Sequence, residues 1–423
     1  MVLTTDSVQT PWSLSARWIF PVSGPPVPNG VVVIAGDKIL AVESRGRRTS
    51  DMDLGEVAIL PGFVNAHTHL DLSGLRDKCP PGADFTAWLR QVMAHRRGTT
   101  PQQTETDIRA GLAECLRHGT MLLGDISAQG LSRWPVLRNA PIRSRVFYEL
   151  IGLTKPRADA ALEAAEHWLS RFDVPVDRAE WLCLPGLSPH APYSVRSKLI
   201  AQTALLARVY RMNHPLAIHL AESRDELELL KHRRGPFVEF LKELQVWDPE
   251  NLATSPEEVV RLCGTSSPLM LIHANYLGAE SAIPPNASII YCPRTHTAFG
   301  HAPHPFRLFL ARGIRVALGT DSLASNPDLS ILSEMRHLHR LYPDVPGDVL
   351  LRMATLSGAE ALDRAAETGS LEACKSADLV VVPLATGSDN DPYKRVLESD
   401  LSVDRVLFRG QWLAPFATES QLP

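Results

Sequence analysis

The chain has 423 residues, 44% hydrophobic and 21% charged, a globular composition with ample material for a large core. Its formal net charge is -4, with both signs scattered, and no basic stripe suggests a nucleic-acid footprint. No apolar run reaches the ~18 residues of a membrane span, the first twenty residues lack the charged and apolar regions of a signal peptide, and the six cysteines form no C-x-x-C pair, so reduced thiols in a cytoplasmic protein are expected. In chain order, residues 1–56 come first, with Val31–Ala35 and Lys38–Leu40 around Gly36-Asp37 reading as a hairpin. Eight predicted strands follow: 57–64, 120–126, 145–151, 181–187, 216–220, 269–273, 287–292 and 314–319. Helical patterns lie between them. Residues 104–117 place Ile108, Leu112, Cys115 and Leu116 on one stripe, with Gly119 as a stop. Residues 156–172 open on Pro156, a good first-turn residue. Ser194 is a plausible N-cap for 195–212. Residues 223–234 read as a solvated helix, and 327–341 and 346–363 close the series.

Strand and helix repeated eight times over roughly 300 residues fits a (β/α)8 TIM barrel; a doubly wound open sheet is the competing architecture. Residues 376–413 return to strands, Asp378–Val382 and Val403–Phe408. Both chain ends are expected to pair into one small β-sandwich domain, made of residues 1–56 and 369–423, beside a barrel of residues 57–368.

The polar residues fall where a barrel puts its chemistry, at the C-terminal ends of strands. His67 and His69 follow the first strand, two apart and therefore facing the same way, as the first two ligands of a divalent metal must. His190 follows strand four. His219 and Glu222 end strand five, His273 ends strand six and Asp321 ends strand eight. Any one of these is more often a satisfied core group; five at matching topological positions point to a metal-centred catalytic site.

Taken together, Leu60-Pro61-Gly62-Phe63-Val64-Asn65-Ala66-His67-Thr68-His69, the His219/Glu222 pair, Gly319-Thr320-Asp321-Ser322-Leu323-Ala324-Ser325-Asn326 and the closing Gly369-Ser370-Leu371-Glu372 and Lys375-Ser376-Ala377-Asp378 segments resemble the amidohydrolase superfamily. The nearest likeness is to its metal-dependent aminohydrolases: methylthioadenosine/S-adenosylhomocysteine deaminases, guanine deaminase and triazine chlorohydrolases. The resemblance implies one divalent ion, Zn2+ foremost and Fe2+ as the alternative, bound by His67, His69, His219 and Asp321. Strand four offers no lysine to bridge a second metal. Hydroxide formed at neutral pH would attack the carbon bearing an exocyclic amine. Asp321 would take the water's proton. Glu222 would protonate the ring and then the leaving amine, and His273 would orient the water or stabilise the oxyanion. His190, in a segment similar to the His-x-Pro-Tyr of adenosine-type deaminases, would face the substrate.

Relatives of the methylthioadenosine type carry a glutamate near residues 95–97, where this chain has Arg96 and Arg97. Cations there would suit an anionic substrate tail. The segment Tyr291-Cys292-Pro293-Arg294-Thr295-His296, with Thr-His where relatives have Ser-Asn, looks similar to aminodeoxyfutalosine deaminases of menaquinone biosynthesis, whose nucleoside carries a benzoate. Glu149 could take the ribose hydroxyls or pair with Arg145, and both are substrate-binding candidates. The expected partners are a small nucleoside and, among proteins, a second copy in a homodimer. Residues 76–100 and 231–265 are expected to cover the barrel mouth. Three readings compete: an adenine-nucleoside deaminase, another leaving group on the same scaffold (guanine deaminase, triazine chlorohydrolase, cyclic amide hydrolase), and a non-catalytic scaffold that has lost its metal.

Overall fold

Eight short strands run parallel in sequence order in a computed structural model that describes residues 10–128, 134–172, 181–209, 214–265, 267–278, 280–385 and 391–414. They are β1 (Phe63–Thr68), β2 (Thr120–Ser127), β3 (Arg143–Leu150), β4 (Cys183–Pro189), β5 (Leu216–Leu220), β6 (Leu269–His273), β7 (Ala287–Tyr291) and β8 (Arg315–Leu318). Every neighbouring pair is parallel. The ring closes where Thr68 bridges Asp321 and where the Thr320 and Asp321 amides donate to the His67 carbonyl at 3.1 Å. The expected barrel is therefore present, and the open sheet is not.

The run 57–64, read above as one strand, is two. Val57–Pro61 pairs antiparallel with Leu379–Pro383 and parallel with Trp18–Ile19, outside the barrel. Gly62 makes the break: its amide donates to the Asp378 carbonyl, and a Cβ there would lie 2.3 Å from Met121 Cγ. Periodicity could not show this, because both halves are apolar and buried. A four-stranded sheet holding the predicted hairpin, Val31–Ala35 with Lys38–Glu43, packs against a six-stranded sheet built from both chain ends. Leu14, Val32 and Ile34 of one meet Ile19, Ile59 and Leu379 of the other in a shared core.

The helices Pro101–Arg117, Lys155–Ser170, Arg224–His232 and Ile331–Leu341 lie where predicted. The stretch 346–363 divides into Gly347–Met353 and Leu356–Ala361. The helix predicted at 195–212 begins at Ser197, and residues 210–212 lie outside the described residues. Ser194 does not cap it: its hydroxyl donates to the Ala191 carbonyl and sits 2.6 Å from His190 Nδ1. No described helix is long and apolar enough to cross a membrane.

Candidate metal centre and active site

The ends of β1, β5, β6 and β8 bring His67, His69, His219, His273, Glu222 and Asp321 into one buried cluster. His67 Nε2 lies 3.5 Å and His69 Nε2 3.8 Å from Asp321 Oδ1, and His69 Nε2 lies 3.3 Å from His219 Nε2. Candidate ligand atoms of His67, His69 and Asp321 fall within 4.8 Å of one another, as do those of His67, His219 and His273. Gly319 lets β8 lie against His67, since a Cβ there would come within 2.9 Å of the His67 side chain. Ala221, His273, Ala274 and Asp321 all adopt left-handed backbone at the strand ends, strain of the kind that gathers at functional sites.

The donor set fits a divalent ion. Both ring nitrogens of His67 are buried without a hydrogen bond among the described residues, a cost that coordination would remove. Burial, reinforced by the neighbouring imidazoles, holds His69 and His219 well below the usual histidine pKa, so both are neutral. His219 Nδ1 donates to the His190 carbonyl at 2.8 Å, which frees Nε2 as a ligand.

Two carboxyl groups at the centre are driven apart. Burial, with the charges of Asp321 and Glu226 behind it, pushes Glu222 well above the carboxylate range. Burial also opposes ionisation of Asp321, but the His67 imidazole 3.5 Å away, His273 and the Ser325 hydroxyl at 2.7 Å hold it below that range. Two carboxyls so separated can serve as acid and base at one pH. Glu222 Oε1 faces His273 Nε2 at 3.3 Å, and burial holds His273 neutral.

Above the cluster opens a cavity of about 210 Å³. Its walls are apolar, with Phe85, Trp88 and Val92 on one side and Phe240, Leu241 and Val246 on another. They come from within the two segments expected to cover the mouth. Trp88 Nε1 anchors the first by donating to the Cys79 and Ala324 carbonyls.

The other predicted substrate contacts fall in different places. His190 lines the cavity, with Nε2 at 3.8 Å from Glu149 Oε1. Arg96 lies on the cavity wall but is engaged by Asp71 at 3.0 Å and Glu149 at 3.3 Å. Burial works against its charge, yet the two carboxylates hold its pKa above the ordinary value. Glu149 therefore pairs with Arg96. Arg145 is a correction: it lies near the start of β3, at the opposite end of the barrel from the cavity. Its guanidinium is fully buried and donates to the Leu362 and Pro185 carbonyls. A strand end and a strand start look alike in a one-dimensional apolar run, so sequence could not separate Glu149 from Arg145. Arg97 does reach the cavity from its exposed rim.

Sequence reasoning missed Asp71, Arg157 and Glu226. Arg157, near the start of Lys155–Ser170, joins Arg97 on the cavity lining. Glu226 accepts from the Ala221 and Glu222 amides at 2.7 and 3.1 Å, while the Ser223 hydroxyl accepts from the Glu226 amide. The Ser-x-x-Glu spacing of a capping box was the available signal.

A parallel barrel with a metal-fit histidine and aspartate cluster at its C-terminal mouth defines a metal-dependent hydrolase. The family model "Amidohydrolase family" matches residues 58–413, and the chain belongs to that family. It is a hydrolase acting on carbon–nitrogen bonds. A 5-methylthioadenosine/S-adenosylhomocysteine deaminase of Moorella thermoacetica is 29% identical over 392 residues, covering 86% of this chain and 84% of the relative. An aminodeoxyfutalosine deaminase of Nitratiruptor sp. is 28% identical over 360 residues, covering 84% and 86%. Among solved structures, Helicobacter pylori aminofutalosine deaminase in complex with methylthio-coformycin shares the fold at a TM-score of 0.81 and 23% identity, covering 95% of this chain and 100% of that one. A Xanthomonas campestris adenosine deaminase with bound zinc does so at 0.76 and 23%, covering 95% and 92%.

Proposed function

We propose that this protein is a hydrolytic deaminase of an adenine nucleoside derivative, with aminodeoxyfutalosine as the first candidate and methylthioadenosine or S-adenosylhomocysteine as the second. The observation that carries the reading is the buried Glu222 carboxyl set 3.3 Å from His273 beside the metal-fit cluster, with burial pushing its pKa up. We assign His67, His69, His219 and Asp321 as ligands of one ion, Zn2+ by preference for a nitrogen-rich site. When bound, such an ion lowers the pKa of a coordinated water toward ~7 and so supplies a nucleophile at neutral pH.

The protein's own groups do the rest. Glu222, whose neutral form burial favours, donates its proton to the ring nitrogen beside the amine-bearing carbon and makes that carbon electrophilic. Asp321 accepts the proton that water gives up as its oxygen bonds to the carbon. Neutral His273 donates a hydrogen bond to that oxygen as negative charge develops there. The proton on Asp321 then passes to the amine, the carbon–nitrogen bond breaks, and ammonia leaves as the proton on the added oxygen returns to Glu222 and a carbonyl forms. Loss of an amine needs a proton at the leaving group and loss of chloride does not. The Glu222–His273 pair therefore favours deamination over dechlorination.

The apolar walls suit an aromatic or thioether tail, and Arg97 with Arg157 at the lining would meet a carboxylate on it. This moves the anion-binding role expected of both Arg96 and Arg97 outward, because Arg96 already serves Asp71 and Glu149. The six unbridged cysteines suit a reducing cytoplasm. Ammonia release from zinc-loaded protein tests the reading, with aminodeoxyfutalosine, methylthioadenosine, S-adenosylhomocysteine, adenosine and guanine offered side by side. Preference for the benzoate nucleoside supports the first candidate, and no ammonia from any of the five overturns the deaminase reading.

A further inference from the structure

The turn that presents His273 is held from an unexpected side. His273 and Ala274 are consecutive non-glycine residues at φ 65° and 53°, a pairing that bulkier side chains avoid unless the surroundings impose it. Within the turn, the Ala274 amide donates to the Leu220 and Ile272 carbonyls. From outside, two histidines of the segment after β7 reach in. His304 Nε2 lies 2.7 Å from the His273 carbonyl oxygen, which can only accept, so Nε2 carries the hydrogen. His296 Nδ1 donates to Asn275 Oδ1 at 3.0 Å, and Asn275 Nδ2 donates in turn to the backbone carbonyl of Glu222 at 2.9 Å. The His304 ring is buried and stacked on Tyr291, 3.9 Å between centroids and 16° between planes, so it has little room to turn.

We infer that His304, with His296 acting through Asn275, is a positioning residue that fixes the Glu222–His273 pair at its working distance. One hydrogen bond holds the strained His273 backbone, and the other chain ties the next turn to the backbone of Glu222. Neither histidine is among the residues lining the cavity, so both act through the pair and leave substrate binding alone. Burial holds His304 at about 3 and His296 at about 4, so both stay neutral and keep these donor assignments across the working pH range. The inference deepens the deaminase reading and rests on Glu222 as its proton carrier.

The test is His304→Phe, which keeps a ring against Tyr291 and removes the donor, beside His304→Gln, which offers an amide donor in place of Nε2. Ammonia release, bound metal and melting temperature are read for each. A buried carbonyl left unpaired in the turn should lower kcat of His304→Phe roughly 10- to 100-fold, with KM within about twofold and metal content unchanged. His304→Gln should recover most of the loss. Wild-type kcat in His304→Phe, a loss that tracks loss of metal, or a loss that Gln does not recover would each overturn the proposal. If His304→Phe does not fold, Asn275→Leu carries the same expectation of reduced kcat at constant KM, and wild-type kcat there overturns it. Glu222→Gln runs in parallel. Full turnover in that variant overturns the acid assignment and the brace with it, whereas an inactive Glu222→Gln beside a fully active His304→Phe overturns the brace alone.

Discussion

The two ends of the barrel carry buried charge in opposite ways. At the N-terminal end, Arg143 pairs with Asp378 and donates to Ser376 Oγ at 2.8 Å, Arg364 pairs with Glu367, and Arg145 is taken up by backbone carbonyls. Each cation there meets a carboxylate or a carbonyl. At the C-terminal mouth, both His67 ring nitrogens lack a hydrogen bond among the described residues, burial pushes Glu222 well above the carboxylate range, and four residues sit in left-handed backbone. Burial alone therefore does not mark a site. Groups buried with their partners stabilise or specify the fold, while a cluster that combines an unpartnered histidine, a carboxyl with a raised pKa and strained backbone beside them is poised for a ligand.

The sharpest way to break this contrast is to remove the metal. A chelator, or His67→Leu, should take ammonia release to background, and Zn2+ should restore the chelated protein but not the variant; undiminished activity in metal-free protein would erase the special status of the mouth. Glu222→Gln comes next, with an expected loss of about 10²- to 10⁴-fold in kcat while bound zinc, measured by elemental analysis, stays the same. At the other end, Arg143→Met should leave kcat of the folded fraction unchanged and cost about 3–5 kcal/mol of stability, because Asp378 is left buried and uncompensated. Denaturant titration beside turnover would show whether the two ends separate in this way.

A smaller effect follows from Glu226, which holds the Glu222 turn. Burial, opposed by two backbone amides, raises its pKa from 4.5 to about 7. The unfolded chain then releases this proton first as pH rises, so the contribution to stability is full below pH 4.5 and is lost between there and about 7. Glu226→Gln should flatten that slope in melting curves taken across the range; an unchanged slope would show that Glu226 does not cause it. Smallest of all, Arg97→Glu should raise KM for a carboxylate-bearing nucleoside by up to about tenfold, in keeping with an exposed ion pair, and leave a neutral analogue unaffected. Equal effects on both would remove Arg97 from tail recognition.

Much of the site was legible because it sits at strand ends. The strands β5 and β6 were predicted to their exact bounds, and His67, His69, His219, Glu222, His273 and Asp321 converge as a barrel requires. What failed depended on direction along a strand or on partners far away in sequence. Arg145 and Glu149 share a strand and a face, yet open on opposite ends of the barrel. Arg96 looked unpaired until Asp71 and Glu149, 25 and 53 residues away, closed on it.

By itself the sequence determined the barrel, the small domain made from both chain ends and the cluster at the mouth, because alternating apolar patterns and short motifs act locally and repeat. Only the tertiary structure decided that Gly62 splits the first apolar run between two sheets, that Arg96 is spent internally while Arg97 and Arg157 line the cavity, and that His296 and His304 reach back to the turn at His273. Those outcomes turn on which buried polar groups find one another across the ring. Pairing of that kind is fixed by packing in three dimensions and leaves no period in the chain.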